Sequence, residues 1–549
     1  MKVRHQSRGR QATAAGLRAV AACLDREPAR ERLIEYLHAI QDRHGCLTHD
    51  HLLALAERLA VAPVAVFETA SFYHHFDVVE DEASAPPALT IRVCTSISCC
   101  MHGGEDLLQA LKAELEPAIR IQAVPCVGRC AEAPVAVIGQ RPLAHADVSI
   151  VQQAVEEGIV HDEAPVHAVT YTAYRENGGY GLLRRLQEAS PDTRDGIIAT
   201  LRDARLRGLG GAGFPLARKW DIVRQQPAPR LLAVNIDEGE PGTFKDRHLL
   251  QIDPHRFIEG MLIAAEVVGV EKIYIYLRDE YAGIRALLRR ELTDLLDDPP
   301  CALPPIELRR GAGAYICGEE SAMLESIEGK RGMPRLRPPY IAEHGLFGRP
   351  TLEHNMETLY WVPQILDRGA DWFAGQGING RHGLRSFSLS GRVRRPGVYI
   401  APAGITARRL IDEYGGGMCE GHTFKAYFPG GASGGILPAS LGDLPLDFDT
   451  LQAHGCFIGS AAIIVLSDHD SVRTMATNAM RFFADESCGR CTPCRVGTRR
   501  AADLMREPTW DRALLDDLCD VMQDASICGL GQAAPNPLRC AMRYFPEEF

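Results

Sequence analysis

The 549-residue chain carries a net charge of −11 with 46% hydrophobic residues, which fits a globular protein and disfavours a general nucleic-acid binder. At this length three to five domains are expected. The longest apolar runs, Met261–Val270 and Phe457–Leu466, are too short to span a bilayer. The basic start MKVRHQSRGRQ has no apolar signal core and reads as a short disordered tail. A cytoplasmic protein without membrane insertion is expected.

In chain order, residues 12–83 read as a helical bundle. Leu33, Leu37, Ile40, Leu52, Leu53, Leu55 and Leu59 recur at helix-face spacings, and Asp50 is the expected cap of a helix starting at His51. Ala83-Ser-Ala-Pro-Pro is a linker. Over 88–160, strands are expected at Leu89–Cys94, Ile119–Val124 and Pro134–Ile138, with a helix at Glu105–Glu114. That order suggests a thioredoxin-like module. Its cysteines stand at strand ends, as Cys94-x4-Cys99 and Cys126-x3-Cys130. Four thiolates in two pairs suit a [2Fe–2S] rhomb with one pair on each iron. Structural zinc or disulfides suit the same spacing, and Cys100 is placed to substitute for Cys99.

A second linker is expected at Gly158–Arg175, followed by an α/β stretch over 176–384. Strands at Leu231–Val234 and Ile273–Leu277 bracket a helix at Phe257–Val268. Three segments there carry ligand chemistry. Arg207-Gly208-Leu209-Gly210-Gly211-Ala212-Gly213-Phe214 precedes Arg218-Lys219-Trp220. Its glycines let backbone N–H groups approach a phosphate or a flat ring; a plain tight turn uses the same residues. It does not match G-x-G-x-x-G with a downstream acid, so a plain dinucleotide Rossmann site is disfavoured. Asn235-Ile-Asp237-Glu238-Gly239-Glu240 follows a strand, where α/β folds place ligand groups. Asn235 and Asp237 suit a flavin edge or ribityl hydroxyls, and Glu238 and Glu240 suit ribose hydroxyls. An acidic solvated turn is the plainer alternative. Tyr315-Ile-Cys-Gly318-Glu319-Glu320-Ser321 is a strand-to-helix turn whose paired acids also suit a helix dipole.

Residues 385–468 show short strands punctuated by Gly391, Pro396-Gly397 and Pro429-Gly430-Gly431, a small β-rich domain. Residues 471–549 read as helices carrying Cys488-Gly-Arg-Cys491-Thr-Pro-Cys494 and a remote Cys528. C-x2-C-x2-C plus one distant cysteine is the ligand pattern of a [4Fe–4S] cubane. The same thiolates crowd a tetrahedral zinc. The remaining cysteines read mostly as small buried apolar residues. Two different clusters imply electron transfer, and a flavin converts single electrons into hydride. No general base is nominated.

Taken in order, these motifs resemble the NADH-binding flavoprotein subunit of respiratory complex I, fused behind that complex's small [2Fe–2S] subunit. The resemblance covers nearly the whole chain, including Phe67-Glu-Thr-Ala-Ser-Phe-Tyr-His-His-Phe76. Ser96-Ile-Ser-Cys99, Ala123-Val-Pro-Cys126-Val-Gly128, Leu277-Arg-Asp-Glu-Tyr281, the glycine-rich run Pro429–Pro438 and the segment Asp524–Gln532 are similar to the beta subunit of cytoplasmic molybdenum- or tungsten-dependent NAD+ formate dehydrogenases. The diaphorase subunit of NAD-reducing hydrogenases is the nearest rival. A complex I component and a zinc-stabilised assembly scaffold are further alternatives.

The resemblance implies a multidomain α/β fold with a Rossmann-like FMN and NAD(H) domain at 176–384, a β-grasp-like domain at 385–468 and a helical [4Fe–4S] domain at 471–549. It implies that Gly208, Gly210 and Gly211 line FMN, that Lys219 reaches its polar edge, and that Asn235, Asp237 and Glu238 bind its ring and ribityl chain. Gly318 and Glu319 continue that wall, and Asn355 and Thr358 take the phosphate. Phe214 is expected on the nicotinamide, Glu240 and Glu320 near polar groups of the nucleotide, and Arg337 and Tyr340 around the adenine. His354 stands where the family has asparagine; a charged imidazole there would bond the FMN phosphate and make flavin retention pH-sensitive. Ile222 replaces an aromatic of some members and is expected to weaken NADH affinity modestly. The implied activity is reversible. A partner alpha subunit oxidises formate at a molybdenum or tungsten pterin, electrons enter at the cubane of Cys488, Cys491, Cys494 and Cys528, and FMN passes hydride to NAD+. The [2Fe–2S] cluster of Cys94, Cys99, Cys126 and Cys130 is expected to hold an electron off the main path.

Overall fold

The computed structural model describes residues 9–189 and 191–549. Of the expected tail, residues 1–8 lie outside the described residues. The N-terminal helices are Ala14–Ala21, Leu33–His44, His49–Leu59 and Pro63–Ala70. They bury Leu37, Ile40 and Leu55 completely. Asp50 is not the cap. Thr48 has the extended backbone a cap needs, and its Oγ1 accepts from the His51 N–H at 3.1 Å. Asp50 sits inside the first turn and instead accepts from the N–H and hydroxyl of Thr13, at 2.8 and 2.6 Å. It thereby ties the first helix to the third.

The next unit has a four-stranded sheet in the order Arg120–Val124, Thr90–Cys94, Ala136–Ile138, Arg141–Leu143. The first pair is parallel and the other two antiparallel, with helices Gly104–Leu115 and Val148–Glu157 beside it. The last strand escaped the sequence reading because it contains Pro142. Proline cannot serve a central ladder, and here it sits on an edge strand, where it is tolerated. The expected linker is also shorter. Tyr171–Glu176 is a helix, capped by Thr170.

The central unit is a four-stranded, wholly parallel sheet in the order Thr351–Asn355, Arg230–Ile236, Val270–Leu277, Ile306–Arg310. Leu232, Ala233, Val234, Ile273 and Ile275 are fully buried, as expected for strands covered on both faces. Register pairs Asn355 with Asn235, so the carboxyl ends of adjacent strands present two amides side by side. Beyond it lies a five-stranded mixed sheet in the order Gly397–Pro402, Leu384–Gly391, Ala462–Ser467, Phe424–Phe428, Leu437–Pro438. The chain closes with helices Val472–Asp485, Thr492–Arg506, Arg512–Ala525, Gly529–Ala533 and Pro535–Tyr544. Among the described residues, no helix is long and apolar enough to cross a membrane.

Candidate functional site

Ligand chemistry gathers at the carboxyl ends of the parallel strands. The glycine loop is anchored there from below. Thr358, fully buried, accepts the Leu209 N–H at 2.8 Å. A side chain at Gly210 would stand 2.9 Å from the Asn355 Cβ, so only glycine lets the loop settle onto Asn355. Gly208 and Gly211 differ. An added Cβ would meet nothing closer than 3.6 and 3.8 Å, leaving an open backbone face. Asn355 accepts from the Glu357 N–H at 3.1 Å and donates to Asp246 at 2.6 Å. Lys219 donates to the Glu353 carbonyl and carboxylate at 2.8 and 2.9 Å, with Glu320 at 3.9 Å. Burial alone would depress its pKa; the two carboxylates outweigh that and raise it.

The acidic segment forms the facing wall. Asn235 donates to the Gly318 carbonyl at 2.9 Å and accepts from the Asp237 N–H at 3.0 Å. Asp237 Oδ2 is buried without a partner, and burial pushes its carboxyl well above the usual range against the pull of Arg278. Glu238 is committed. It accepts from the N–H groups of Asp246 and Arg247 at 2.8 and 3.2 Å and from the Tyr281 hydroxyl at 2.9 Å. Glu240 accepts from the Ser433 N–H at 2.7 Å and from the Tyr315 hydroxyl. Glu319 caps helix Glu320–Ile327, accepting from the N–H groups of Ser321 and Ala322 at 3.0 and 2.9 Å. Its other oxygen faces Arg337, which also lies 3.2 Å from Glu320. Phe214 and Tyr340 are both exposed.

Each cysteine set flanks this wall. Cys94, Cys99, Cys126 and Cys130 are all buried. Cys126 and Cys130 lie 3.2 Å apart, and Cys99 lies against Cys94. The Cys130 thiol, then the N–H of Gly242 and the charge of Arg278, hold Cys126 below the usual thiol range despite burial. Arg278, itself buried, donates to the carbonyls of Cys126 (2.9 Å) and Glu238. On the other side, Gly489 takes φ +76° between Cys488 and Cys491, and Cys494 lies in the first turn of helix Thr492–Arg506. Burial pushes Cys528 up to about 12, with the N–H groups of Leu530 and Gly531 pulling back and Cys488 adding its charge. Cys494 rises to about 11 through burial and the thiols of Cys491 and Cys488. Tyr315 donates its N–H to Glu486 at 2.9 Å and packs on Phe482 at 4.9 Å. It thus links the flavin-motif turn to the helix that leads into Cys488.

Three family models match the chain in order: a thioredoxin-like [2Fe–2S] ferredoxin over residues 20–158, the Nuo51 FMN-binding domain over 201–364, and the NADH-ubiquinone oxidoreductase-F iron–sulfur binding region over 474–549. The F 2 subunit of the NADH-quinone oxidoreductase of Rhizobium meliloti is 41% identical over 69% of this chain and 93% of its own length. The F subunit of the Aquifex aeolicus enzyme is 38% identical over 70% of this chain and 91% of its own. The chain belongs to the family of NADH-quinone oxidoreductase F subunits. A crystal structure of an NAD+-reducing [NiFe]-hydrogenase matches with a TM-score of 0.81 at 31% identity, covering 94% of this chain and 92% of that one. The family's [2Fe–2S] model spans the N-terminal helices and the thioredoxin-like sheet together.

As a member of this family the chain is an FMN- and iron–sulfur-dependent NAD(H) oxidoreductase subunit with [2Fe–2S] and [4Fe–4S] centres. The site's own chemistry fits these groups. The orphaned Asp237 Oδ2 and the open faces of Gly208 and Gly211 suit a polar-edged flat ring. The thiols of Cys488, Cys494 and Cys528, raised by burial and by neighbouring thiols, suit iron, which supplies the missing positive charge. Sequence reasoning missed Arg278, Lys245 and Gly531. The signal for Arg278 was its place directly after strand Val270–Leu277, at the same sheet edge as Asn235. Lys245, buried between Asp246 (2.6 Å) and Glu357 (3.0 Å), neutralises the acids beneath Asn355.

His354 does not face the flavin motif. Strand alternation turns it away from Asn355, and its Nε2 accepts from the indole N–H of Trp220 at 2.8 Å. Burial, with Lys219 nearby, holds its pKa well below the usual range, so it stays neutral. Flavin content measured by fluorescence after gel filtration is therefore expected to stay flat from about pH 6 to 9 as far as His354 is concerned. A His354→Asn variant should give the same profile.

Burial differs between Cys99 and Cys100 in a way that favours Cys99 as the ligand. Cys99 lies against Cys94, whereas Cys100 is half-buried beside Glu105 and Arg481. Cys100→Ser is expected to keep the [2Fe–2S] EPR signal, and Cys99→Ser to lose it. A surviving signal in Cys99→Ser would reverse the assignment.

Proposed function

We propose that the chain is the NAD+-reducing diaphorase subunit of a formate dehydrogenase, carrying electrons from a formate-oxidising molybdenum or tungsten subunit through its [4Fe–4S] centre and FMN to NAD+. The observation that carries the relay is the Tyr315–Glu486 link, which joins the flavin-motif wall to the cubane loop within one hydrogen bond. The formate assignment rests on the segments around Cys99, Cys126, Arg278, Gly431 and Cys528. When bound, FMN exchanges single electrons for a hydride. The chain's residues do the holding: the Gly208–Gly211 backbone, Asn235, Asp237 and Gly318 around the ring, and Asn355 and Thr358 towards the phosphate. Phe214, Glu240, Glu320, Arg337 and Tyr340 serve the nucleotide.

Glu240 gives this reading a pH signature. Burial pushes its carboxyl up to about 7, while the Tyr315 hydroxyl and the Ser433 N–H pull it back. Below that pH it is protonated; above, its charge opposes the nucleotide's phosphates. KM for NADH is expected to rise as pH passes 7. Tyr315→Phe removes a donor to the carboxylate and moves the rise to higher pH. Glu240→Gln abolishes it. Three superimposable profiles would remove Glu240 from the nucleotide site.

A second reading, the diaphorase of an NAD-reducing hydrogenase, is favoured by the near full-length match to such an enzyme. Anaerobic copurification of the tagged chain from its host, with metal analysis, separates the two. Molybdenum or tungsten with formate-driven NADH formation supports the first. Nickel with hydrogen-driven NADH formation replaces it.

A further inference from the structure

His75, in the segment ending at Phe76, takes no part in the site above. His38, on helix Leu33–His44, and His75, after helix Pro63–Ala70, converge with Asp279, which follows strand Val270–Leu277. One ligand atom from each lies within 4.8 Å of the others. The imidazole rings are 4.8 Å apart, centre to centre. Each ring has one nitrogen fixed. His38 Nε2 bonds the Gly311 carbonyl at 2.9 Å, and since a carbonyl only accepts, Nε2 carries the proton. His75 Nδ1 lies 2.8 Å from Asp279 Oδ2, and an ionised carboxylate likewise only accepts. The remaining nitrogens, His38 Nδ1 and His75 Nε2, are buried with no hydrogen-bond partner. In the neutral tautomers so fixed, both are lone pairs, and buried acceptors left unpaired are costly. A metal ion between them satisfies both at once, whereas a water would have to spend both of its hydrogens there.

We propose that His38 Nδ1 and His75 Nε2 bind a divalent transition-metal ion of the zinc class, at the seam between the N-terminal helices and the flavin domain. Imidazole nitrogen suits zinc and its neighbours and suits magnesium or calcium poorly. Asp279 is the orienting partner in a carboxylate–histidine–metal array, a recurrent arrangement around bound metals. Its other oxygen is already engaged by Arg310 (2.5 Å) and Arg285 (3.2 Å). Arg310 is balanced in turn by Asp42 at 2.6 Å. The backbone fixes the seam: the N–H groups of His74 and His75 donate to the Gly313 and Ala312 carbonyls, each at 3.2 Å. A cavity lined by His75, Asp279 and Gly313 opens beside the pair on the His75 side.

The test uses the full chain, purified anaerobically with its flavin and both clusters in place, stripped with a mild chelator and equilibrated with micromolar zinc. One equivalent of zinc per chain is expected, with X-ray absorption showing only nitrogen or oxygen neighbours at about 2.0–2.1 Å and an imidazole outer-shell pattern. His38→Asn and His75→Asn should lose that equivalent while keeping flavin and iron content. Asp279→Asn should weaken zinc binding about 10- to 100-fold. Should the histidine variants lose flavin and iron, the absorption spectrum of the unmutated chain decides alone. Absence of zinc from the unmutated chain, with the two imidazoles sharing a proton instead, overturns the proposal. So do sulfur neighbours at about 2.3 Å, or zinc retained in both histidine variants.

Discussion

Cys528→Ser is expected to erase the [4Fe–4S] signal, to leave the [2Fe–2S] signal and bound flavin intact, and to drop partner-driven NAD+ reduction to background. On the proposed reading Cys528 is the ligand that comes from outside the tight loop; it occupies the N-cap position of helix Gly529–Ala533. Its approach depends on Gly531, where an added Cβ would stand 2.9 Å from the Cys494 Cβ and closer still to Ser526. A seryl hydroxyl is a harder donor that stays protonated at neutral pH, so three thiolates remain where a cubane needs four. The fold should survive, because the terminal helices pack through Leu515, Cys519, Met522 and Leu538, all fully buried. On the proposed route the cubane is the entry for electrons, whereas NADH meets the flavin directly. NADH oxidation by an artificial acceptor should therefore persist. EPR of the reduced protein, iron analysis and the two assays check this together; partner-driven NAD+ reduction that survives without the cubane would place electron entry elsewhere.

The legible parts of this molecule were those where local chemistry dictates local structure. Cysteine spacing announced both clusters because a thiolate cage admits few loop geometries. The two central parallel strands were visible as apolar runs, and the acidic turn was visible because it follows one of them; the outer strands Ile306–Arg310 and Thr351–Asn355, richer in charged and polar residues, were not. What the sequence hid depends on pairing across long separations. Asn355 lies beside Asn235 only through strand register. Thr358 holds the glycine loop from about 150 positions away. His354 shows the converse. Its neighbour in sequence touches the flavin-motif wall, and a one-residue step along a strand turns the imidazole to the other face, against Trp220. The acids were hardest to assign by type alone. Glu238 accepts backbone N–H groups on both oxygens and Glu319 on one, its other oxygen facing Arg337, whereas Asp237 keeps a free oxygen.

Two glycines of one loop are expected to fail in different ways. Gly213 takes φ +65°, and a Cβ there would stand 2.6 Å from the Phe448 ring. That ring cannot retreat. Arg385 lies over it at 3.9 Å and Arg207 at 4.5 Å, and Arg207 also bonds the Gly213 carbonyl at 2.5 Å and Asp449 at 2.5 Å. Gly213→Ala therefore meets left-handed backbone strain of about 1–2 kcal/mol and overpacking of about 1–3 kcal/mol. Stability and flavin content should both fall. Gly208→Ala meets neither cost, since the nearest atom to the new Cβ is 3.6 Å away. The flavin-free protein should melt as before. If Gly208 lines the flavin, however, the methyl occupies the ring's space, and a steric cost of about 1–3 kcal/mol corresponds to roughly 5- to 150-fold weaker flavin binding. Thermal melts of the flavin-free proteins, paired with flavin titration by fluorescence, read both effects. Unchanged flavin affinity in Gly208→Ala would move the ring away from Gly208 and towards the Gly318 side of the cleft.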